Sequence, residues 1–174
     1  MIILGIDPGS RITGFGIVDN QANSITFIAS GNIKVGGDTL PQRLGYIFAA
    51  IKDVIEEHQP EQMGIENVFM ARSAGSALKL GQARGAAICA AHQAGLEIAE
   101  YAPREIKKAI VGTGAASKEQ IQDMVKRLLG IKQELKSDEA DGLAIAICHA
   151  QFYASRQKTG IDPSLLKRRR SSRR

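Results

Sequence analysis

The chain begins with the sequence IILGIDPGSRITGFGIV, residues 2–18, which has two apolar stretches on either side of a short loop. Residues 2–7 are apolar up to the terminal Asp7 and are followed by the turn-forming pair Pro8 and Gly9, as in a buried strand. Residues 13–18 and 24–30 are also apolar and are joined by another short connection. Short connections favour neighbouring antiparallel strands, so these three segments predict a meander.

The rest of the first 154 residues alternates between helical and strand patterns. Apolar residues recur with helical spacing after Thr39, which forms a capping-box pattern with Gln42. The predicted helices cover 40–58, 74–93, 103–111, from Ser117 to near Gly130 and from Ser137 to about Tyr153, and the further strands cover 62–66 and 96–101. The helix over 74–93 is small and apolar nearly all round, which favours burial. This order predicts an α/β fold in which helices cover both faces of a mixed five-stranded sheet.

The charge of the chain is concentrated at its C-terminal end. The 174 residues carry a net charge of +5, but residues 155–174 contain eight basic residues and one acid. Residues 1–154 are therefore nearly neutral and long enough for one folded domain. We expect residues 155–174 to form a basic, disordered tail, which either adds phosphate contacts to a nucleic acid or is simply solvated.

Composition excludes several classes of protein. No stretch approaches the ~18 uninterrupted apolar residues of a transmembrane helix, and the first residues lack the basic region of a signal peptide. The two cysteines, Cys89 and Cys148, lie singly in apolar surroundings and are not spaced for zinc. We expect both to be buried, reduced thiols in a cytoplasmic protein with no membrane association.

Four acidic residues stand next to core segments. Asp7 and Glu66 end apolar strands, whereas Asp138 and Asp141 lie one helical turn apart at the start of the last helix. Taken singly, each has an ordinary structural explanation, such as a turn or a favourable place near a helix N-terminus. Together they form a set of oxygen ligands that suits Mg²⁺ and phosphoryl transfer, because a divalent cation offsets their mutual repulsion.

Two further acids are less well placed for such a set. Glu139 points about 100° away from Asp138 on a helix of about 3.6 residues per turn. Glu100 lies near a strand end and is the next candidate after the four.

Three motifs together resemble a known family. GIDPGSRITGFG at 5–16, IENVFMARSAGSALKLGQARGAA at 65–87 and SDEADGLAIAICHA at 137–150 are similar, in order, to motifs of the RuvC family of bacterial Holliday junction resolvases. The resemblance covers roughly residues 1–152, and its middle motif is highly specific. It implies a ribonuclease-H-like fold, with catalytic and metal-binding acids at Asp7, Glu66, Asp138 and Asp141.

The resemblance also implies an activity and its partners. Members of the family are homodimeric endonucleases that nick two strands of like polarity in four-way junction DNA, preferring sites around TT. The cuts leave ligatable 5′-phosphate and 3′-hydroxyl ends and serve recombination and repair. The implied cofactor is Mg²⁺, two ions per active site, for which Mn²⁺ can substitute. The implied protein partner is the RuvA–RuvB branch-migration complex.

The same resemblance assigns DNA contacts. Phe69 would stack on a base near the crossover, although by sequence alone it could instead pack against the following helix. Lys107 and Lys118 would bind phosphates near the active site, although lone lysines are usually solvated.

Gly81 and Gly85 have a spacing that suits close packing either on the sheet or on a second copy of the chain. Gly142 stands where the family commonly has Ala, a choice that costs a helix about 1 kcal/mol.

Three other functions compete with this interpretation. An actin-like or sugar-kinase-like ATPase opens with a similar strand pair but needs two such lobes. A junction-binding protein without catalysis would tolerate Asp7→Asn. A different ribonuclease-H-like nuclease, such as one acting on RNA–DNA hybrids, would share the acids but not the middle motif.

Overall fold

The computed structural model describes residues 1–22, 24–67 and 73–159, with side chains up to residue 157. The elements, in chain order, are β1 Ile2–Asp7, β2 Ile12–Gln21, β3 Ser24–Lys34, α1 Leu40–His58, β4 Gln62–Glu66, α2 Ala74–Gln93, β5 Glu97–Tyr101, α3 Pro103–Val111, α4 Lys118–Leu129 and α5 Ser137–Thr159. The predicted order of elements is confirmed.

The five strands form one mixed sheet in the order β3-β2-β1-β4-β5. β1 and β3 are antiparallel to β2, whereas β1, β4 and β5 run parallel to one another. In this register Ile6 pairs with Ile65, so the next residues, Asp7 and Glu66, end neighbouring strands at the same edge. The sheet topology therefore brings the two strand-end acids together.

Helices cover both faces of the sheet, as predicted. On one face α1 and α2 pack over a core that includes Leu4, Ile6 and Ile17. On the other face α3, α4 and α5 pack over Ile3 and Val18. Successive β1 side chains alternate between the two cores, which explains the unbroken apolar sequence of this strand.

Helix α5 lies unusually close to β1 and β2 because glycines face each other across the contact. A Cβ atom at Gly5, Gly14 or Gly16 would overlap backbone atoms of α5, and one at Gly142 would lie 2.5 Å from the carbonyl carbon of Phe15. This packing accounts for Gly142: its lower helix propensity is offset by the close approach that only glycine permits.

The prediction that α2 is buried is wrong. Its buried residues are Ala83, Ala87, Ala90 and Ala91, on one face only. The opposite face is open: Leu78 is 64% exposed, and a Cβ atom at Gly81 or Gly85 would meet nothing within 4 Å. Close packing of these two glycines on the sheet is thereby excluded.

Other differences from the sequence predictions are local. Cys148 is buried as expected, but Cys89 is exposed on α2. Ser137 is the first residue of α5, and its hydroxyl has no hydrogen-bond partner among the described residues, so it does not cap the helix. Helix α5 continues past the predicted end near Tyr153 to Thr159.

No helix in the described ranges is both long and apolar enough to cross a membrane.

Candidate active site

The four acidic residues meet at one edge of the sheet. Asp7 and Glu66 end β1 and β4, and Asp138 and Asp141 lie in the first turns of α5. One carboxylate oxygen each from Asp7, Asp138 and Asp141 lies within 4.8 Å of the others. Glu66 interacts with this trio through a side-chain hydrogen bond with Asp7. We call these four residues the carboxylate cluster.

Burial and crowding hold a proton in the carboxylate cluster. Desolvation, and then the charges of Glu66, Asp141 and Asp138, raise the pKa of Asp7 to about 8, although Lys118 opposes the increase. The pKa of Glu66 is also raised, first by burial and then by Asp141, although its hydrogen bond with Asp7 opposes the increase. At neutral pH, Asp7 is therefore the protonated member and donates this hydrogen bond to Glu66.

The chemistry of the carboxylate cluster fits a divalent cation. Its donors are hard carboxylate oxygens, which Mg²⁺ prefers, and three of them already converge. Burial, and then the charges of the neighbouring carboxylates, raise the pKa of Asp7, because little positive charge lies close enough to compensate. A bound cation would supply that compensation.

Lys107 and Lys118 lie beside the carboxylate cluster. The Lys118 ammonium is 2.9 Å from a carboxylate oxygen of Asp141, and Lys107 donates a hydrogen bond of 2.7 Å to the carbonyl of Ala116. Both lysines line a cavity of about 190 Å³ together with Glu66 and Asp141. Burial lowers the pKa of Lys118, but the hydrogen bond and charge of Asp141 outweigh it and raise the pKa. Phe69 lies outside the described residues.

Neither of the two less favoured acids joins the carboxylate trio. Glu139 is 3.9 Å from the ammonium of Lys136, on the neighbouring turn. Glu100 forms an ion pair of 2.6 Å with Arg84. Both are occupied with structural partners, which supports leaving them out of the set.

Two residues that were not predicted from the sequence hold the ends of β1 and β4 and the loop after β1. Arg84 of α2 donates from Nε to the backbone carbonyl of Glu66 at 3.1 Å and is paired with Glu100. Buried Thr13 donates to the carbonyl of Gly9 at 3.0 Å and accepts from its amide at 3.3 Å, which fixes the loop after Asp7. The sequence did contain a signal for each of them, because Arg84 is a charged residue in a small, apolar helix and Thr13 is a polar residue in an apolar strand.

Comparison with known proteins agrees with this geometry. Residues 3–149 match the family model "Crossover junction endodeoxyribonuclease RuvC". The chain is 56% identical over 154 residues to the crossover junction endodeoxyribonuclease RuvC of Pseudomonas entomophila, covering 88% of each chain. It is 56% identical over 149 residues to the protein of the same name from Psychromonas ingrahamii, covering 86% of each.

Solved structures show the same fold. The Thermus thermophilus RuvC structure has a TM-score of 0.80 and 34% identity, over 91% of this chain and 98% of that chain. T. thermophilus RuvC in complex with a Holliday junction substrate has a TM-score of 0.82 and 36% identity, over 91% and 97%. With more than four fifths of its length matched by the family model and its four acids gathered at one edge, the chain belongs to the RuvC family of crossover junction endodeoxyribonucleases.

Proposed function

We propose that this chain resolves four-way DNA junctions by hydrolysing one phosphodiester in each of two strands of like polarity. The observation that carries the proposal is the carboxylate cluster, in which acids from three separate segments meet at the sheet edge. The products would be 5′-phosphate and 3′-hydroxyl ends that a ligase can seal. Relatives named crossover junction endodeoxyribonuclease support the substrate.

We propose Mg²⁺ as the cofactor, two ions per site with Mn²⁺ as a substitute, held by the carboxylate cluster. When bound, such ions lower the pKa of an attacking water and neutralise charge on the phosphate. Asp7 must give up the proton that it shares with Glu66 before all four acids are anionic. Asp7 ends the central strand β1 and would hold a bound cation together with Asp138 and Asp141.

The lysines and Phe69 would bind the DNA. Lys107 and Lys118 face the cavity beside Glu66 and Asp141, which places positive charge where a scissile phosphate would approach. Lys118 is held by Asp141 and is therefore oriented before DNA arrives. For Phe69 the proposal rests on family resemblance: its ring would stack on a base near the crossover, worth about 1–3 kcal/mol.

The working form would be a homodimer. Two cuts related by symmetry need two active sites related by a two-fold axis. Helix α2 offers an open face with exposed Leu78 and with Gly81 and Gly85 free to let another backbone approach. We therefore propose that the two-fold interface lies on α2.

On family resemblance, the RuvA–RuvB complex is the proposed partner and the cytoplasm is the proposed location.

Substrate preference tests the proposal. Purified protein is incubated with a four-way junction, a linear duplex of the same sequence or an RNA–DNA hybrid, each with Mg²⁺ or with EDTA. We expect paired, ligatable nicks in the junction only, and only with Mg²⁺. Preferential cutting of the hybrid would indicate the other ribonuclease-H-like activity. Tight junction binding without any cutting would indicate a non-catalytic binding protein.

A further inference from the structure

A second cavity lies on the other face of the sheet, between α1, α2 and the loop that follows Asp7. It has a volume of about 300 Å³, and its polar lining residues are Ser10, Asp38, Arg43 and Lys79. Its remaining walls are aliphatic side chains of α1 and α2. We call this cavity the α1–α2 pocket.

The α1–α2 pocket opens at the same sheet edge as the carboxylate cluster. Ser10 is three residues after Asp7, and the end of β3 pairs with the start of β2 through Lys34 and Ile12. The amide of Val35 also bonds to the carbonyl of Arg11 at 2.9 Å, so the start of α1 follows at this edge. The carboxylate cluster is thus flanked by Lys107 and Lys118 on one face of the sheet and by Arg43 and Lys79 on the other.

The α1–α2 pocket carries more positive than negative charge. Among the described residues, neither Arg43 nor Lys79 is within ion-pair distance of a carboxylate, although Asp38 lines the same pocket. Arg43 uses its Nε to donate to the carbonyl of Gly37 at 2.9 Å, which orients the guanidinium. Counting two basic residues and one acidic residue among its lining, the pocket has a formal charge of +1.

We propose that the α1–α2 pocket binds a backbone phosphate of the junction DNA, away from the phosphate that is cut. The inference rests on the proposed function and adds a DNA-contact site on the second face of the sheet. A single phosphodiester carries one negative charge, which matches the pocket. The guanidinium fork and the Ser10 hydroxyl supply directional donors, and Lys79 supplies a compact point charge. Strands leaving the cut site would then be held on both faces of the sheet.

The salt dependence of junction binding tests this site. Binding to a four-way junction is measured in EDTA, between 50 and 200 mM salt, for the wild type, Lys79→Gln and Arg43→Gln/Lys79→Gln. Each phosphate contact contributes about 0.9 to the slope of log affinity against log salt. Because each pocket would hold one phosphate, we expect the slope to fall by about 1 for each pocket engaged in the double variant, and by less in the single variant, which keeps Arg43.

A matched control removes two positive charges elsewhere. Lys52 lies about three turns into α1 and pairs with Glu56, and Arg127 lies in the last turn of α4. The double variant Lys52→Gln/Arg127→Gln should keep the wild-type slope. If it loses as much slope as the pocket variant, only net charge matters, and the proposal is overturned.

Two variants guard against a folding defect. The side chain of Lys79 forms no ion pair and no hydrogen bond among the described residues, so Lys79→Gln tests the pocket without disturbing a contact. Arg43→Lys retains the charge but loses the bond to Gly37, and it should retain most of the slope. If the slope is unchanged in Lys79→Gln and the wild type cuts junctions, the phosphate site is refuted but the proposed function is not. A wild type that binds but never cuts refutes the proposed function instead.

Discussion

Asp7 is the residue on which the electrostatics of the active site depend most. Its pKa is raised to about 8 because it is buried and faces three other carboxylates. The sequence predicted its position as a strand-end acid, because an apolar strand followed by Pro-Gly can be recognised from the amino-acid sequence alone. It could not predict the protonation state, which depends on distances to Glu66, Asp138 and Asp141.

Asp7→Asn should stabilise the metal-free protein at neutral pH. The folded-state pKa is raised above the ordinary value of 3.8 for an aspartate, so the native state retains a proton that the unfolded chain releases. This costs stability above about pH 4, and the cost grows until about pH 8. The amide should therefore add on the order of 1–4 kcal/mol at pH 7.

Urea unfolding in EDTA measures this effect. The gain of Asp7→Asn over the wild type should be larger at pH 8 than at pH 5. An equal gain at both pH values would mean that Asp7 is already ionised in the native state.

Metal binding should depend on pH through the same proton. Below about pH 8 a divalent cation must displace the Asp7 proton, so its apparent affinity should rise with pH, by up to about tenfold per unit, and then level off. Calorimetric Mg²⁺ titration at several pH values, without DNA, gives the affinity and the protons released. A flat profile between pH 6 and 8 would contradict the assigned protonation.

At the level of secondary structure elements, the decisive contact is that between α5 and the strands β1 and β2. The carboxylate pair of α5 reaches Asp7 because glycines on both sides let the backbones approach. The sequence pattern of residues 13–18 predicted a strand but not this contact, since apolar periodicity does not report what packs across the sheet face. Their role becomes visible once α5 is placed above them.

Gly16→Ala should be strongly destabilising, whereas Gly45→Ala should not. A Cβ at Gly16 would overlap the backbone of Leu143, and forced overpacking of this kind costs about 1–3 kcal/mol. Gly45 lies in α1 with nothing within 4 Å of an added Cβ, so alanine there should gain about 0.5–1 kcal/mol. Thermal unfolding of both variants tests the contact, and similar melting temperatures would argue against it.

Helix α2 shows the limit of sequence patterns. A helix of Ala, Gly and Leu suits burial in a core, but it equally suits an interface with a second chain, because both need small side chains. The sequence therefore could not tell that Leu78 and Cys89 are exposed in the single chain. For the same reason it left the packing of Gly81 and Gly85 open.

For the whole molecule, we expect the open face of α2 to control the oligomeric state. The double variant Gly81→Leu/Gly85→Leu places two large side chains where an added Cβ meets nothing, so the single chain should still fold. A second backbone could no longer approach, and the dimer should dissociate. Sedimentation equilibrium with circular dichroism should show a folded monomer, and nicks should no longer be paired. A variant that stays dimeric would move the interface elsewhere.

The overall architecture was the most predictable level. The order of elements and the edge shared by Asp7 and Glu66 follow from apolar periodicity, turn residues and the rules of parallel connections. The sequence could not place the α1–α2 pocket, because its residues come from three segments far apart in the chain. The division into residues 1–154 and a basic tail at 155–174 stays a prediction, although α5 continues to Thr159.

If the four acids act as one metal-dependent nuclease site, junction cutting requires each of them. The most direct measurement is the rate of junction nicking in Mg²⁺ for Asp7→Asn, Glu66→Gln, Asp138→Asn and Asp141→Asn, with junction binding measured in parallel. Glu139→Gln is the matched control, since Glu139 neighbours Asp138 but pairs with Lys136. Each of the four should lose about 100-fold or more in rate while still binding junctions, because metal stabilisation is worth several kcal/mol. A near wild-type nicking rate in any of the four variants, or an equal loss of rate in Glu139→Gln, would show that the four acids do not form one such site.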